Sequence, residues 1–447
     1  MLLAAFVGTA TNIAVPVLEK EFPNAGLATI SWVVSGYNVA QVTFMLLGGR
    51  LADRIGRRRI FLSGLGVFAI GAALSGVAPT IGFVIAARIG QAIGVALMLP
   101  ASLAAVLPEF PQERHGSVIS LWSSMGVLGA ATAPTVTAGV LQISNWRVVF
   151  LAAVPIALAA IVAGRRILAP GVVDENPGPL DLVGAVTGTV AIGGLTFAIV
   201  QGRIWGWTDL RIVVITVLMV VSGVVFLRSS RTHPEPLLDL DLLRIPTFTW
   251  ATVASALVSM STAATWFLYP LFMTEVWDYS VLQVGLAMTP GPAILVVLAP
   301  MAGRLADRHG FRGLMILGAA MATLGTAWMA WRLDPNETYV RAFLPGTLAI
   351  GVGMAFLLGP ANAAALSRVP RAQIGAANAG YNTARSTTSA LGVAITAAII
   401  GDTGPGERLD AFAISWWSMV AAMATAPLIL WLAYPSDRRS PVAVATP

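Results

Sequence analysis

The chain has 447 residues, of which 57% are hydrophobic and 11% charged, and its mean hydropathy is +0.79. Soluble globular chains are roughly a quarter charged, so a membrane protein is expected and a large soluble domain is excluded, since no long polar stretch interrupts the sequence. The net charge of +6 does not indicate nucleic acid, because the arginines sit mostly in short loops between apolar runs, the positive-inside pattern.

With no cysteine, disulfides, thiolate metal sites and redox motifs are excluded. His115, His233 and His309 are too dispersed for a metal cluster, so neither metal nor cofactor is expected. Lys20 is the only lysine, beside abundant Ala, Gly and Arg, which hints at a GC-rich bacterial genome and hence a bacterial plasma (inner) membrane.

A membrane-crossing helix needs about 20 apolar residues. The first such window, 1–18 ("MLLAAFVGTATNIAVPVL"), lacks the basic segment of a secretory signal and is read as a span; its abrupt beginning suggests a start codon upstream. Further windows follow near 30–49, 60–79, 81–107, 117–141, 147–168, 182–202, 210–227, 248–272, 281–302, 313–331, 341–366, 374–400 and 411–433. The sum is fourteen spans, with the weakest boundaries around 203–210 and at both ends of 341–366. An even number places both termini on one side. If that side is the cytoplasm, 18 of the 27 Lys+Arg fall inside, 7 outside, and the remaining two (27 − 25), Arg88 and Arg385, within spans.

One charged phrase is written twice: "GGRLADRIGRRR" at 48–59 and "AGRLADRHGFR" at 302–312, with matching arginines 254 positions apart (304 − 50). Each copy follows the second helix of a six-helix set once the seventh and eighth spans are removed. This implies two pseudo-symmetric halves of a transporter, divided as 1–168, a segment 169–246 carrying two extra helices and a polar connector, and 247–447. Within the connector, "PLLDLDLLRIP" suits either a short interfacial helix or an ordinary linker.

Carried on these residues, the chain resembles the major facilitator superfamily, and the two extra spans make it similar to the fourteen-span drug/proton antiporters. Gly49, Asp53, Arg54, Gly56, Arg57 and Arg58 match that family's cytoplasmic signature, and Gly303, Asp307, Arg308 and Gly310 form the second copy. "ARIGQAIG" (87–94) resembles the fourth-span arginine motif, and "WRVVFLAAVP" (146–155), "VWDYSVLQVGLAMTP" (276–290) and "NTARSTTSALGVA" (382–394) resemble later landmarks. The resemblance implies an all-α integral membrane fold of two six-helix bundles plus two helices. It also implies that the repeated aspartates dock on the opposite half and hold the cytoplasmic side closed. Two departures bear on mechanism: "NIAVP" (12–16) is intact, but Val7 stands where the family carries an aspartate. In the fifth span "GAATAPTVTAG" (129–139) keeps Gly129 and Pro134 of the antiporter motif, while Ala133, Thr137 and Ala138 replace glycines.

Asp53 is expected against a helix N-terminus, with Arg54 and Arg57 pairing nearby, an interaction worth about 1–2 kcal/mol, enough to bias two near-balanced states. The second copy, whose basic run is broken by His309 and Phe311, is expected to be the weaker clasp; the alternative for both is a purely topogenic charge cluster. An arginine within a span costs about 2.5–3.5 kcal/mol on insertion scales and persists where it faces the bundle or a wet cavity. Arg88 with Gln91, and the i, i+4, i+7 stripe Asn378, Asn382, Arg385, are therefore the cavity and coupling candidates. Asn12, Tyr37, Asn38 and Gln41 are further cavity candidates, with ordinary interhelical hydrogen bonding as the alternative. No Asp or Glu lies deep inside a span.

Two cavity cations without a counter-charge point to a neutral or anionic amphiphilic substrate. The function expected is export of a small molecule by alternating access, coupled to protons, by a monomer in the lipid bilayer. An uncoupled facilitator or an importer is the alternative; a membrane-embedded enzyme or a sensor would need clustered acids, a metal-binding set or an output domain that the sequence lacks.

Overall fold

The computed structural model describes residues 1–25, 27–111, 114–168, 181–234, 236, 239–370, 373–401 and 407–436. It is built of helices: α1 (Leu2–Glu21), α2 (Leu27–Ile55), α3 (Arg57–Gly76), α4 (Ile81–Val106), α5 (His115–Ile143), α6 (Trp146–Leu151), α7 (Ala153–Ile167), α8 (Leu182–Trp205) and α9 (Leu210–Thr232). After the connector come α10 (Pro246–Glu275), α11 (Val281–Met288), α12 (Pro290–His309), α13 (Arg312–Trp331), α14 (Tyr339–Ala342), α15 (Leu344–Leu366), α16 (Ile374–Gly401) and α17 (Arg408–Leu432).

Each expected window is covered by one helix or by two in series. The pairs α6/α7, α11/α12 and α14/α15 break at Ala152, Thr289 and Phe343, each followed by a proline (Pro155, Pro290, Pro345) in the first turn of the next helix. There proline's missing N–H leaves no intrahelical bond unmade. Elsewhere side chains start the helices: Thr80, Asn145, Asp181, Asp209 and Ser280 each accept a hydrogen bond from the first turn that follows. Among the described residues ten helices are long and apolar enough to cross a membrane, or eleven if a bent pair counts as one span. The helices outside that number are α1, α2 and α16, each of which includes residues whose side chains fall outside the described ones.

The repeat is visible as packing. Gly56 (φ 107°) is the joint between α2 and α3, and Gly310 (φ 88°), 254 positions on, the joint between α12 and α13. Such positive φ values strain any residue with a Cβ. The offset recurs in the helix that follows (318 − 64, 325 − 71). A Cβ on Gly64 of α3 would stand 2.8 Å from the Gly94 carbonyl oxygen of α4, and one on Gly318 of α13 would stand 2.7 Å from that of Gly353 in α15. Gly71 and Gly325 likewise meet backbone of α4 and α15. The same small-residue approach thus brings α3 onto α4 and α13 onto α15.

In the first part of the chain α1 packs on α5, and α4 on both α2 and α3; in the last, α10 packs on α16 and α17, and α13 on α15 and α17. The two sets meet where α2 lies on α16 and α5 on α12 and α15. The intervening α8 and α9 pack on each other, and α8 also touches both α2 and α16. Asp181 fastens this pair: it accepts from Gly184 N at 2.6 Å on α8 and from Ser229 Oγ at 2.7 Å on α9. Over 240–244 the connector is helical and packed on the bundle. It forms a short 3-10 helix with Leu242 buried in the core, and Asp239 beside it accepts from Gln373 Nε2 at 3.1 Å.

A leucine at Gly64 or Gly318 overfills these contacts and is expected to destabilise the protein by about 1–3 kcal/mol. Leucine at Gly66, where a Cβ meets nothing within 4 Å, should leave stability unchanged. Thermal unfolding of the detergent-solubilised variants reads both outcomes.

Candidate functional site

The first four N–H groups of a helix have no intrahelical partner, and the helix dipole places partial positive charge there. Two carboxylates use such ends. Asp53, whose side chain is 4% exposed, accepts from Gly375 N at 3.1 Å and Ala376 N at 2.8 Å, at the start of α16. Arg57 lies one turn on, its Nη2 3.5 Å from Asp53 Oδ1 and its Nη1 donating to Ala104 O at 3.2 Å. In the second copy Asp307 accepts from Ser117 N at 3.1 Å and Ser117 Oγ at 2.7 Å, at the start of α5. The Arg57–Ala104 bond puts the end of α2 level with the end of α4, from which the chain turns directly into α5. Both phrases therefore lie at one end of the bundle, referred to below as the arginine-rich end.

The repeated phrase differs from its expected form in one respect. It is not a loop: residues 50–55 continue α2 and 302–309 belong to α12. The apolar window ends at 49, but the helix need not end there, because Ala52 and Ala306 remain buried and sustain the packing. This helical continuation carries Asp53 to α16. Gly49 permits the approach, since a Cβ there would stand 2.5 Å from Ala379 Cβ and 2.6 Å from Gly375 O. Gly303 is buried on α12. Arg58 donates to Arg165 O at 2.5 Å, tying α3 to α7. Arg54 and Arg308 occupy the last turns of α2 and α12, Arg308 on the exposed side.

For Asp53, which lies beyond the apolar stretch, burial pushes the carboxyl up to about 6, against the backbone N–H groups of Ala376 and Gly375 and the positive charge of Arg57, which pull it down. Burial dominates.

The buried polar groups separate into two places. Arg88 is fully buried; its guanidinium lies 3.9 Å from the Tyr37 ring centroid and 5.6 Å from that of Phe150, Nη1 donates to Gln91 Oε1, and Nε to Val33 O at 3.5 Å. Neither Arg88 nor Gln91 is among the residues that line the cavity of Arg385 described below; that face of α4 packs on α2. Arg88 Nη2 and Gln91 Nε2 have no hydrogen-bond partner among the described residues. Tyr37 is buried, Gln41 half-buried and Asn38 exposed, and none of the three lines the cavity. Asn12 and Pro134 lie on α1 and α5, but their side chains fall outside the described residues. Gly129 meets the Leu2 carbonyl oxygen, which leaves no room for a Cβ between α1 and α5.

On α16, Asn382 Nδ2 donates to Asn378 Oδ1 and O, both at 2.9 Å, so these two asparagines bond within their own helix and stay out of the cavity. Arg385 does line it. The cavity measures about 450 Å³ and lies between the start of the chain (Met1, and Ala5 of α1), α5 and the set α10, α12, α15 and α16. Its walls include Trp122, Trp266, Tyr269 and Met354, with Ser259 and Ser389 beside Arg385. Arg385 Nε donates to Ser259 Oγ at 3.0 Å, and Trp122 Nε1 donates to Ser102 Oγ at 3.0 Å, which fixes that indole. No Asp or Glu lines it among the described residues. Sequence reasoning missed Ser117 and Ser259. Only the stretch "RHGSV" before the fifth window, a polar helix start facing the second copy of the phrase, offered a signal for Ser117.

The sequence model described as the Major Facilitator Superfamily matches residues 1–392 and 251–446. The chain is 30% identical over 420 residues to the transporter YebQ of Escherichia coli, covering 92% of this chain and 90% of that one. To the tetracenomycin C resistance and export protein of Streptomyces glaucescens it is 29% identical, covering 92% and 77%. To the multidrug resistance protein Stp of Mycobacterium tuberculosis it is 27% identical, covering 87% and 72%. Among solved structures, the proton:xylose symporter XylE bound to 6-bromo-6-deoxy-D-glucose superposes with a TM-score of 0.71 at 16% identity, covering 97% of this chain and 93% of that one, a likeness of fold. The chain therefore belongs to the Major Facilitator Superfamily: it is a multi-pass membrane transporter and not an enzyme.

Proposed function

We propose that this protein exports a small amphiphilic molecule, neutral or anionic, by alternating access coupled to proton influx. The observation that carries the reading is the pair of carboxylate clasps at one end of a bundle that also encloses a chamber of drug-like size. An arrangement held shut at one end by two polar contacts of about 1–2 kcal/mol each can open there without unfolding. The names of relatives concerned with resistance and export support the outward direction.

In this reading the chain makes fourteen spans in a bacterial plasma membrane. The arginine-rich end and both termini face the cytoplasm, by the eighteen-to-seven division of positive charge. Residues 1–168 and 247–447 form the two rocking halves, 169–246 contributes the extra pair, and one chain suffices. The second reading, an uncoupled facilitator or importer, is favoured by one observation: Val7, buried among apolar side chains, stands where related antiporters carry an acid, and the cavity lining offers no carboxylate.

Asp53 is the proposed proton-sensitive element. With the clasp closed its carboxyl titrates at about 6; opening returns it to water and the ordinary aspartate range near ~3.9. The closed form therefore holds the proton more tightly. Protonation favours closure fully below the open-state value, and that contribution, of order 1–3 kcal/mol, is lost as pH rises through about 6. A proton released on opening enters the cytoplasm, the direction antiport requires.

Spin-label distances across the arginine-rich end should accordingly show the closed fraction growing as pH falls from 8 to 5, with Asp53→Asn flat over that range and defective in export at normal membrane abundance. A wild-type distribution independent of pH would remove Asp53 from coupling. In liposomes with an imposed pH gradient and an internal-pH dye, a neutral or anionic amphiphile should drive proton movement. Transport that persists after an uncoupler collapses the gradient would favour the facilitator.

A further inference from the structure

We propose that Arg385 makes the cavity selective for organic monoanions, holding a carboxylate or sulfonate while the apolar walls hold a flat aromatic body. This rests on the transport reading above and names the class of cargo for it.

Among the described residues lining the chamber Arg385 carries the only charged side chain. No carboxylate pairs with it among the described residues; its Nε is held by the Ser259 hydroxyl at 3.0 Å, and its Cζ lies 5.6 Å from the Tyr381 ring centroid. Tyr381 itself is fixed by donating to Ser255 Oγ at 3.0 Å. The guanidinium is thus oriented by neutral groups of α10 and α16, and its charge is left without a counter-ion. In water-poor surroundings a cation without a counter-charge attracts an anion strongly and repels a second cation. The planar fork of donors matches the oxygens of a carboxylate or sulfonate. One guanidinium neutralises one charge, and Arg88, sealed inside the first half, adds none to the chamber.

The remaining wall is suited to the hydrophobic part of such a molecule. Trp266 and Tyr269 of α10 present aromatic surface, and the Tyr269 hydroxyl is already spent on Ala287 O at 3.0 Å, so its ring acts as an apolar face. Met329 and Met354 are unbranched and adapt to cargo of varied outline. The site lies mainly in the second half and α5, so it is read by α16, the helix whose first turn takes up Asp53.

Two probes that share one skeleton test this: 8-anilinonaphthalene-1-sulfonate and its uncharged counterpart N-phenyl-1-naphthylamine, titrated against the purified protein in detergent and tested for transport in proteoliposomes. The wild type is expected to bind the sulfonate at least about 10-fold more tightly than the amine. Arg385→Gln should weaken the sulfonate about 10- to 100-fold, leaving the amine and the unfolding temperature unchanged. Ser259→Ala, which frees the guanidinium without removing it, should weaken the sulfonate a few-fold. Equal binding of the two probes by the wild type, or sulfonate binding indifferent to Arg385→Gln, would overturn the inference. Transport of the amine in that case would leave the transport reading standing, whereas probe binding without transport of either would count against the transport reading instead.

Discussion

A carboxylate at the end of one helix accepting hydrogen bonds from the free N–H groups at the start of another is the contact on which this structure turns. Asp53 on α16 and Asp307 on α5 are two instances of it, related by the internal duplication, and each crosses between halves that otherwise meet through apolar and small-residue surfaces. Such apolar surfaces slide with little preference for one position. Polar caps are directional and are made or broken as units, which gives the assembly discrete states. At Asp53 burial raises the carboxyl pKa while the backbone donors and Arg57 lower it, so the contact sets opposing effects against each other.

The surroundings support this contact. Gly49 brings α2 against the backbone of α16, and a Cβ on Gly375, the second residue of α16, would stand 2.6 Å from Asp53 Oδ1 and crowd the carboxylate out of its place. The glycine pairs in α3/α4 and α13/α15 bring those helices into backbone contact in both copies of the repeat. Of the intervening pair, α8 touches both α2 and α16, while α9 turns Val213, Val217, Val220 and Val224 outward. Hydroxyls stitch α16 to α10, through Tyr381–Ser255, Arg385–Ser259 and Thr388–Ala256 O at 3.0 Å, so the cargo-facing arginine and the clasp share one helix.

Much of the fold was legible because its signals are local. Apolar runs of about 20 residues mark helices, a phrase repeated at a constant offset marks a duplication, and a glycine after "ADRI" or "ADRH" marks the joint that needs positive φ. What could not be read is the direction a side chain takes around its helix relative to neighbours not yet placed. Arg88 and Arg385 look alike in sequence, each a lone arginine in an apolar span. One stacks on Tyr37 inside the first half, and the other faces the chamber, a difference decided by which helices pack against α4 and α16. For the same reason Ser117 and Ser259 were invisible as partners, since each is defined by a contact more than 100 positions away.

The central claim is that the two aspartates hold the arginine-rich end closed. Because the chain has no native cysteine, spin labels can be placed at Arg59 and Arg368, one on each half, without background substitutions. A double electron–electron resonance measurement should find one dominant short distance in the parent protein. Asp53→Ala and Asp307→Ala should each shift population to a longer distance, and the double variant further than either. A distribution unmoved by both substitutions would contradict the account.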